Sequence, residues 1–167
     1  MKFGIIGAGR IGKIQGGNIA ARRDCQVAFV ADADSVAAQA LAAATGAKSA
    51  SIDEILASTQ VDAVAICSPT DTHADCIEHA ARAKKAIFCE KPIDLDVKRI
   101  RACLEFVKQT NATLMIGFNR RFDPNFASLQ KRVAEGAIGA LEIVSITSRD
   151  PSPPPVSYIA PAASSKT

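Results

Sequence analysis

Apolar runs rich in Val, Ile and Phe alternate along this chain with longer Ala-rich stretches in which apolar residues recur at helical spacing. The first cycle is Lys2 to Ile6, then Ile11 to Ala21, then Val27 to Asp32, which predicts strand, helix, strand. A second helix is expected from Ser35 to about Thr45, stopped by Gly46 in a left-handed conformation. A short helix follows Ser51, whose partner Glu54 three residues on makes a capping box. Val61 to Cys67 is a nearly unbroken apolar run ending at Ser68-Pro69, the pattern of a parallel strand buried on both faces and stopped by proline.

Beyond it the spacing predicts a helix over about His73 to Ala83 and a short strand over Ala86 to Cys89. In the next helix Val97, Ile100, Leu104 and Val107 form one core-facing stripe. Thr113 to Phe118 reads as a further strand, and Phe126, Leu129 and Val133 mark a helix starting near Asp123. These strands joined by helical crossovers predict an α/β fold, a Rossmann-type doubly wound parallel sheet with helices on both faces. Leu141 to Ser148 reads as one more strand, the start of a second unit. From Asp150 the chain changes character: Pro151, Pro153, Pro154, Pro155 and Pro161 among Ser and Ala read as extended linker or tail.

With 167 residues, 48% of them hydrophobic and 22% charged, the chain is long enough for one core without disulfide or metal staples. The net charge of +3 is spread along the sequence, and one Tyr and no Trp leave little for base stacking, which argues against a nucleic-acid partner. No apolar run reaches the length of a bilayer span, so no membrane partner is expected, and residues 1–9 do not read as a secretory signal. Five cysteines without a Cys-x-x-Cys pair suggest buried free thiols in a reducing cytoplasm. His73 and His79 lack the pairing or spacing of a metal site.

Gly7-Ala8-Gly9-Arg10-Ile11-Gly12 is a G-x-G-x-x-G run that follows a strand and opens a helix, with Asp32 at the end of the next strand. In a dinucleotide site Gly7 allows the tight turn, Gly9 lets the backbone approach a pyrophosphate, and Gly12 lets helix pack on strand. The helix N-terminus supplies amide donors and a positive dipole. Asp32 would accept hydrogen bonds from the adenosine ribose hydroxyls. That favours NAD over NADP, because a 2′-phosphate would meet a carboxylate, with Asp34 adding to the repulsion. Ala33, Asp34 and Ser35 provide no basic residue for such a phosphate. Arg10 either contacts a phosphate or faces water. The plain alternative for the whole run is a glycine turn beside a solvent-facing aspartate.

Phe88-Cys89-Glu90-Lys91-Pro92, Ser68-Pro69-Thr70 followed by His73, and Gly117-Phe118-Asn119-Arg120-Arg121-Phe122 stand in order behind the glycine run. With them the sequence resembles the Gfo/Idh/MocA family of nicotinamide-dependent sugar and polyol dehydrogenases over residues 1 to about 159. From Gly117 through Pro155 it is most similar to the inositol 2-dehydrogenases of that family. The resemblance implies NAD as cofactor and a catalytic role for Lys91, which would hydrogen-bond the substrate hydroxyl and stabilise negative charge developing on its oxygen. It implies that Glu90 orients Lys91 or the nicotinamide ribose, that the peptide before Pro92 is cis and aims Lys91 into the cleft, and that Ser68, Pro69, Thr70, His73 and Asn119 surround the cofactor. Taken alone, Lys91 is a surface lysine before a loop proline. Thr72 with Asp75 reads as a helix cap, His73 as either a cofactor contact or a capping residue, and Arg120 and Arg121 as substrate ligands or fasteners of the helix from Asp123.

The resemblance divides the chain into an NAD-binding Rossmann domain over 1–122, the start of a substrate and oligomerisation domain over 123–149, and a Pro/Ser/Ala-rich tail over 150–167. In the family the second unit is an open, mainly antiparallel sheet that forms the substrate pocket and commonly the dimer surface. It also carries an aspartate and a histidine four residues apart that move the proton. No Asp-x-x-x-His follows Asp150, so the chain is expected to be truncated relative to the family. The function implied is hydride transfer from a cyclic polyol or sugar hydroxyl to NAD, by a homo-oligomer. The alternatives are another sugar dehydrogenase of the family and an NAD-binding module without turnover.

Overall fold

In the computed structural model, which describes residues 1–149 with Ser152 and Pro153, the Val- and Ile-rich runs become the strands of one parallel sheet. The strands are β1 (Lys2–Ile6), β2 (Gln26–Ala31), β3 (Lys48–Ser49), β4 (Ala63–Ile66), β5 (Ala86–Cys89) and β6 (Leu114–Ile116). Between them run α1 (Arg10–Ala20), α2 (Ser35–Thr45), α3 (Ile52–Ala57), α4 (His73–Arg82) and α5 (Val97–Gln109), and α6 (Pro124–Ala134) follows. The strand order is β3-β2-β1-β4-β5-β6. Construction therefore proceeds outward from β1 to one edge, returns to the middle at β4, and proceeds to the other. At that reversal the connections leaving β1 and β4 diverge to opposite faces, opening the crevice where ligands bind in sheets of this kind.

Alternation along β1 sends successive side chains into two separate cores. Ile5 joins Val27, Val30, Ala38, Leu41 and Ala65 on the face covered by α1 and α2, whereas Ile6 joins Ile55, Val64, Ile66, Ile77 and Cys103 on the face covered by α3, α4 and α5. Both faces being buried, β4 is apolar throughout, as its sequence requires. Residues Met1–Phe122 form one compact unit and Asp123 begins a second.

Several local signals act as expected. Gly46 ends α2 at φ +70, and Ser51 and Glu54 cap α3 reciprocally. Asp123 accepts the Asn125 and Phe126 N–H groups at the start of α6. Two features differ. The pattern marks five of the six strands and misses Lys48–Ser49, an exposed two-residue edge defined by backbone pairing with β2 alone. Leu141 to Ser148, expected as a strand, is irregular: it pairs with no strand among the described residues, and Ile143 is 86% exposed. A β-rich composition makes a strand only where a neighbour accepts its ladder. The tail expected over 150–167 lies outside the described residues apart from Ser152 and Pro153.

All five cysteines are free, and Cys67, Cys76, Cys89 and Cys103 are buried. Burial pushes the Cys67 thiol up to about 12, with Glu90 adding to the effect. Burial likewise raises Cys103 to about 11, and raises Cys76 and Cys89. Among the described residues no helix is long and apolar enough to cross a membrane.

Candidate cofactor site

The glycine run is built by close approach. Gly7 has φ +102, donates its N–H to Ala31 O at 2.8 Å, and faces the end of β4 so tightly that a Cβ would lie 2.5 Å from Ser68 N. Gly12 presses α1 onto the turn, where a Cβ would lie 1.9 Å from Gly7 O. Gly9 is different: nothing stands within 4 Å of its Cβ position, which leaves open space in front of the backbone. Gly9 also begins α1 without any side-chain cap, so the amides of Arg10 and Ile11 are offered outward. Buried Ala8 underlies the turn, and Arg10 is exposed.

Asp32 is fixed by two backbone donors. Ala8 N–H donates to its Oδ2 at 2.5 Å and Asp34 N–H to its Oδ1 at 2.8 Å. A carboxylate has about four lone-pair sites, so two remain for an incoming diol. Asp34 turns its own carboxylate onto Val36 N–H and Ala37 N–H as the cap of α2.

At the end of β4, Thr70–Thr72 forms a 3-10 turn that runs directly into α4. Thr72 is therefore helical in its backbone and does not cap α4 as expected; its hydroxyl donates to Pro69 O at 2.7 Å and pairs with Ser68 Oγ at 2.7 Å. His73 departs from both of its expected roles. It is 2% exposed, with Nδ1 2.7 Å from Pro92 O and Nε2 2.8 Å from Ser68 O, so no polar atom is left for a cofactor and none caps the helix. Ser68 and Thr70 are half-buried and Pro69 is exposed.

At the end of β5, Glu90 N–H donates to Ile66 O at 2.9 Å and Glu90 Oε1 accepts from Gln15 Nε2 at 2.7 Å. The carboxylate lies against Gly117, whose absent Cβ would stand 3.2 Å from Oε2. Lys91 is exposed and the Lys91–Pro92 peptide is cis. Gln15, Glu90, Gly117 and Asn119 line a cleft of about 230 Å³ with Phe88, Met115 and Phe122. Asn119, Arg120 and Arg121 are exposed in a 3-10 turn, where Asn119 Oδ1 accepts the Arg120 N–H at 3.0 Å. Gln15 is the residue that sequence reasoning missed; its one signal is a polar side chain between Gly12 and Gly16 on the inward face of α1. A larger hollow of about 430 Å³, around Asp62, Lys84, Lys85 and Thr113, lies at the opposite edge, where β5 and β6 begin, away from this chemistry.

The profile of the oxidoreductase family with an NAD-binding Rossmann fold, Gfo/Idh/MocA, matches residues 1–118. The chain belongs to the Gfo/Idh/MocA family. Among relatives, an inositol 2-dehydrogenase of Rhizobium meliloti is 57% identical over 159 residues, which are 95% of this chain and 48% of that protein. A crystal structure of a myo-inositol dehydrogenase from Corynebacterium glutamicum superposes with a TM-score of 0.88 at 45% identity, covering 96% of this chain and 49% of that one. A scyllo-inositol dehydrogenase from Lactobacillus casei, solved with NAD(H) and scyllo-inositol bound, superposes with a TM-score of 0.78 at 32% identity, over 83% of this chain and 42% of that one. The chain thus spans about half the length of the Gfo/Idh/MocA relatives it matches. The expected family and the Rossmann fold are both found.

Proposed function

We propose that this chain is the cofactor-binding part of an NAD-dependent dehydrogenase that oxidises a ring hydroxyl of a cyclic polyol, most like an inositol 2-dehydrogenase. The observation that carries this is a cradle with open space at Gly9, uncapped amides at the start of α1, and an Asp32 carboxylate held by two N–H groups with acceptor capacity to spare. These groups fit the pyrophosphate and ribose diol of NAD⁺. The carboxylates of Asp32 and Asp34 repel a 2′-phosphate. When bound, NAD⁺ supplies the acceptor for the hydride that leaves the carbinol carbon.

In this reading Gly7 to Gly12 with Arg10 and Ile11 hold the pyrophosphate, and Ser68, Pro69, Thr70, Glu90 and Asn119 border the nicotinamide half. Lys91 hydrogen-bonds the substrate hydroxyl and stabilises charge on its oxygen as the proton departs. The family resemblance assigns that proton to an aspartate and histidine in the length of the relatives beyond this match. Self-association fits the exposed Ile143, Val144 and Ile146, and a reducing cytoplasm fits the free buried thiols.

Calorimetric titration with NAD⁺ and NADP⁺ tests the reading. NAD⁺ should bind more tightly, and Asp32→Ala should weaken it about tenfold to a hundredfold, the worth of hydrogen bonds to a charged acceptor. Binding of neither nucleotide refutes the cofactor assignment. Binding without NADH formation from any inositol would favour the module without turnover.

A further inference from the structure

The backbone ladder between β4 and β5 closes with Glu90 N–H donating to Ile66 O. Past that bond the two chains part, one into Ser68–Thr70 and the other into Lys91–Pro92. Among the described residues the next link across the gap is the His73 ring, which reaches Ser68 O with Nε2 and Pro92 O with Nδ1. It is also the one polar side chain in the buried interior of the described chain. Both carbonyls can only accept, so the ring donates to whichever faces a nitrogen that carries a hydrogen and packs against the other. A buried ring held within hydrogen-bond distance of two backbone carbonyls fixes the segments it joins, because removing it leaves a desolvated carbonyl and an unfilled space.

We propose that His73 is a positioning residue that locks the Lys91–Pro92 bend against the end of β4, so that Lys91 and the Ser68–Thr70 turn meet the same ligand together. This rests on the reading above, in which those two segments share the nicotinamide half of the site. Its consequence is selective. The Gly7–Gly12 turn and Asp32 stand at the ends of β1 and β2, whereas the ring's partners are Ser68 O and Pro92 O, so the turn and Asp32 should hold the adenosine half without it.

The test compares ADP-ribose, which lacks the nicotinamide, with NADH. Calorimetry on His73→Ala should give ADP-ribose affinity equal to that of the unaltered chain. The advantage of NADH over ADP-ribose should shrink about tenfold, the worth of one lost buried hydrogen bond, and the emission of bound NADH should move towards that of free NADH. An unchanged advantage with unchanged emission overturns the role of His73 alone. Failure of the unaltered chain to bind ADP-ribose overturns the cofactor reading itself. Should His73→Ala not fold, ¹⁵N-imidazole spectra of the unaltered chain decide: the His73 ring signals should move with NADH and stay in place with ADP-ribose. Ring signals indifferent to NADH overturn the proposal.

Discussion

Gly12 stands over the carbonyl oxygen of Gly7 so closely that a Cβ on Gly12 would lie 1.9 Å from it. The obstruction is backbone, which has no rotamer to move away. Gly12→Ala should therefore push α1 off the sheet and cost about 3 kcal/mol, the upper range for overpacking. Urea unfolding monitored by circular dichroism would measure it. A variant as stable as the parent would show that the turn yields.

Arg99 on α5 bridges two carboxylates of α4, Asp75 at 2.6 Å and the half-buried Glu78. Replacing it by Met keeps much of the aliphatic stem and removes both ion pairs. The expected loss is about 1 to 2 kcal/mol, since the pairs are charge-assisted but only partly shielded. It should appear as a lower urea midpoint with an unchanged slope.

The buried thiols make the fold sensitive to alkali. Cys67 and Cys103 titrate near 12 and 11 when folded, against 9.0 for a free thiol. Below that ordinary value both states keep their protons and stability is unaffected. Above it the unfolded chain loses thiol protons that the folded chain retains, so stability falls as pH rises. The melting temperature should drop from about pH 9 upward, and less so in Cys67→Ala corrected for its packing loss. At neutral pH a thiol reagent should modify Cys25 promptly and the other four only after unfolding.

Asp123 caps α6 through Asn125 and Phe126. Asp123→Ala should cost that helix about 1 kcal/mol. Amide exchange at Asn125 and Phe126 should accelerate several-fold while the amides of β1 keep their protection. Equal exchange in both proteins would mean that the cap contributes nothing.

What the sequence displays is what side chains determine. Val61 to Cys67 must be a central strand because no residue in Ala63–Ile66 tolerates water, and Gly46 and Ser51 mark their helix ends with specific chemistry. Lys48–Ser49 and Leu141 to Ser148 mislead for opposite reasons: the first pairs without an apolar signature, the second has the signature without a partner. At the site, the glycine spacing and Asp32 are legible because their demands are local. His73 and Gln15 are not, because their partners lie far along the chain. Ser68 O and Pro92 O are backbone carbonyls, which every residue has, and Glu90 is 75 residues from Gln15.

The strand order has a kinetic meaning. Each wing of the sheet, β1 to β3 and β4 to β6, grows from segments adjacent in the chain, but the seam joining β1 to β4 brings together residues about sixty positions apart. Closing that long loop is the entropically demanding step, after which the wings reinforce each other. Because the glycine turn and Ser68 meet across this seam, a half-assembled chain has nowhere to seat a dinucleotide. Occupancy of the crevice therefore reports that the whole sheet is in place.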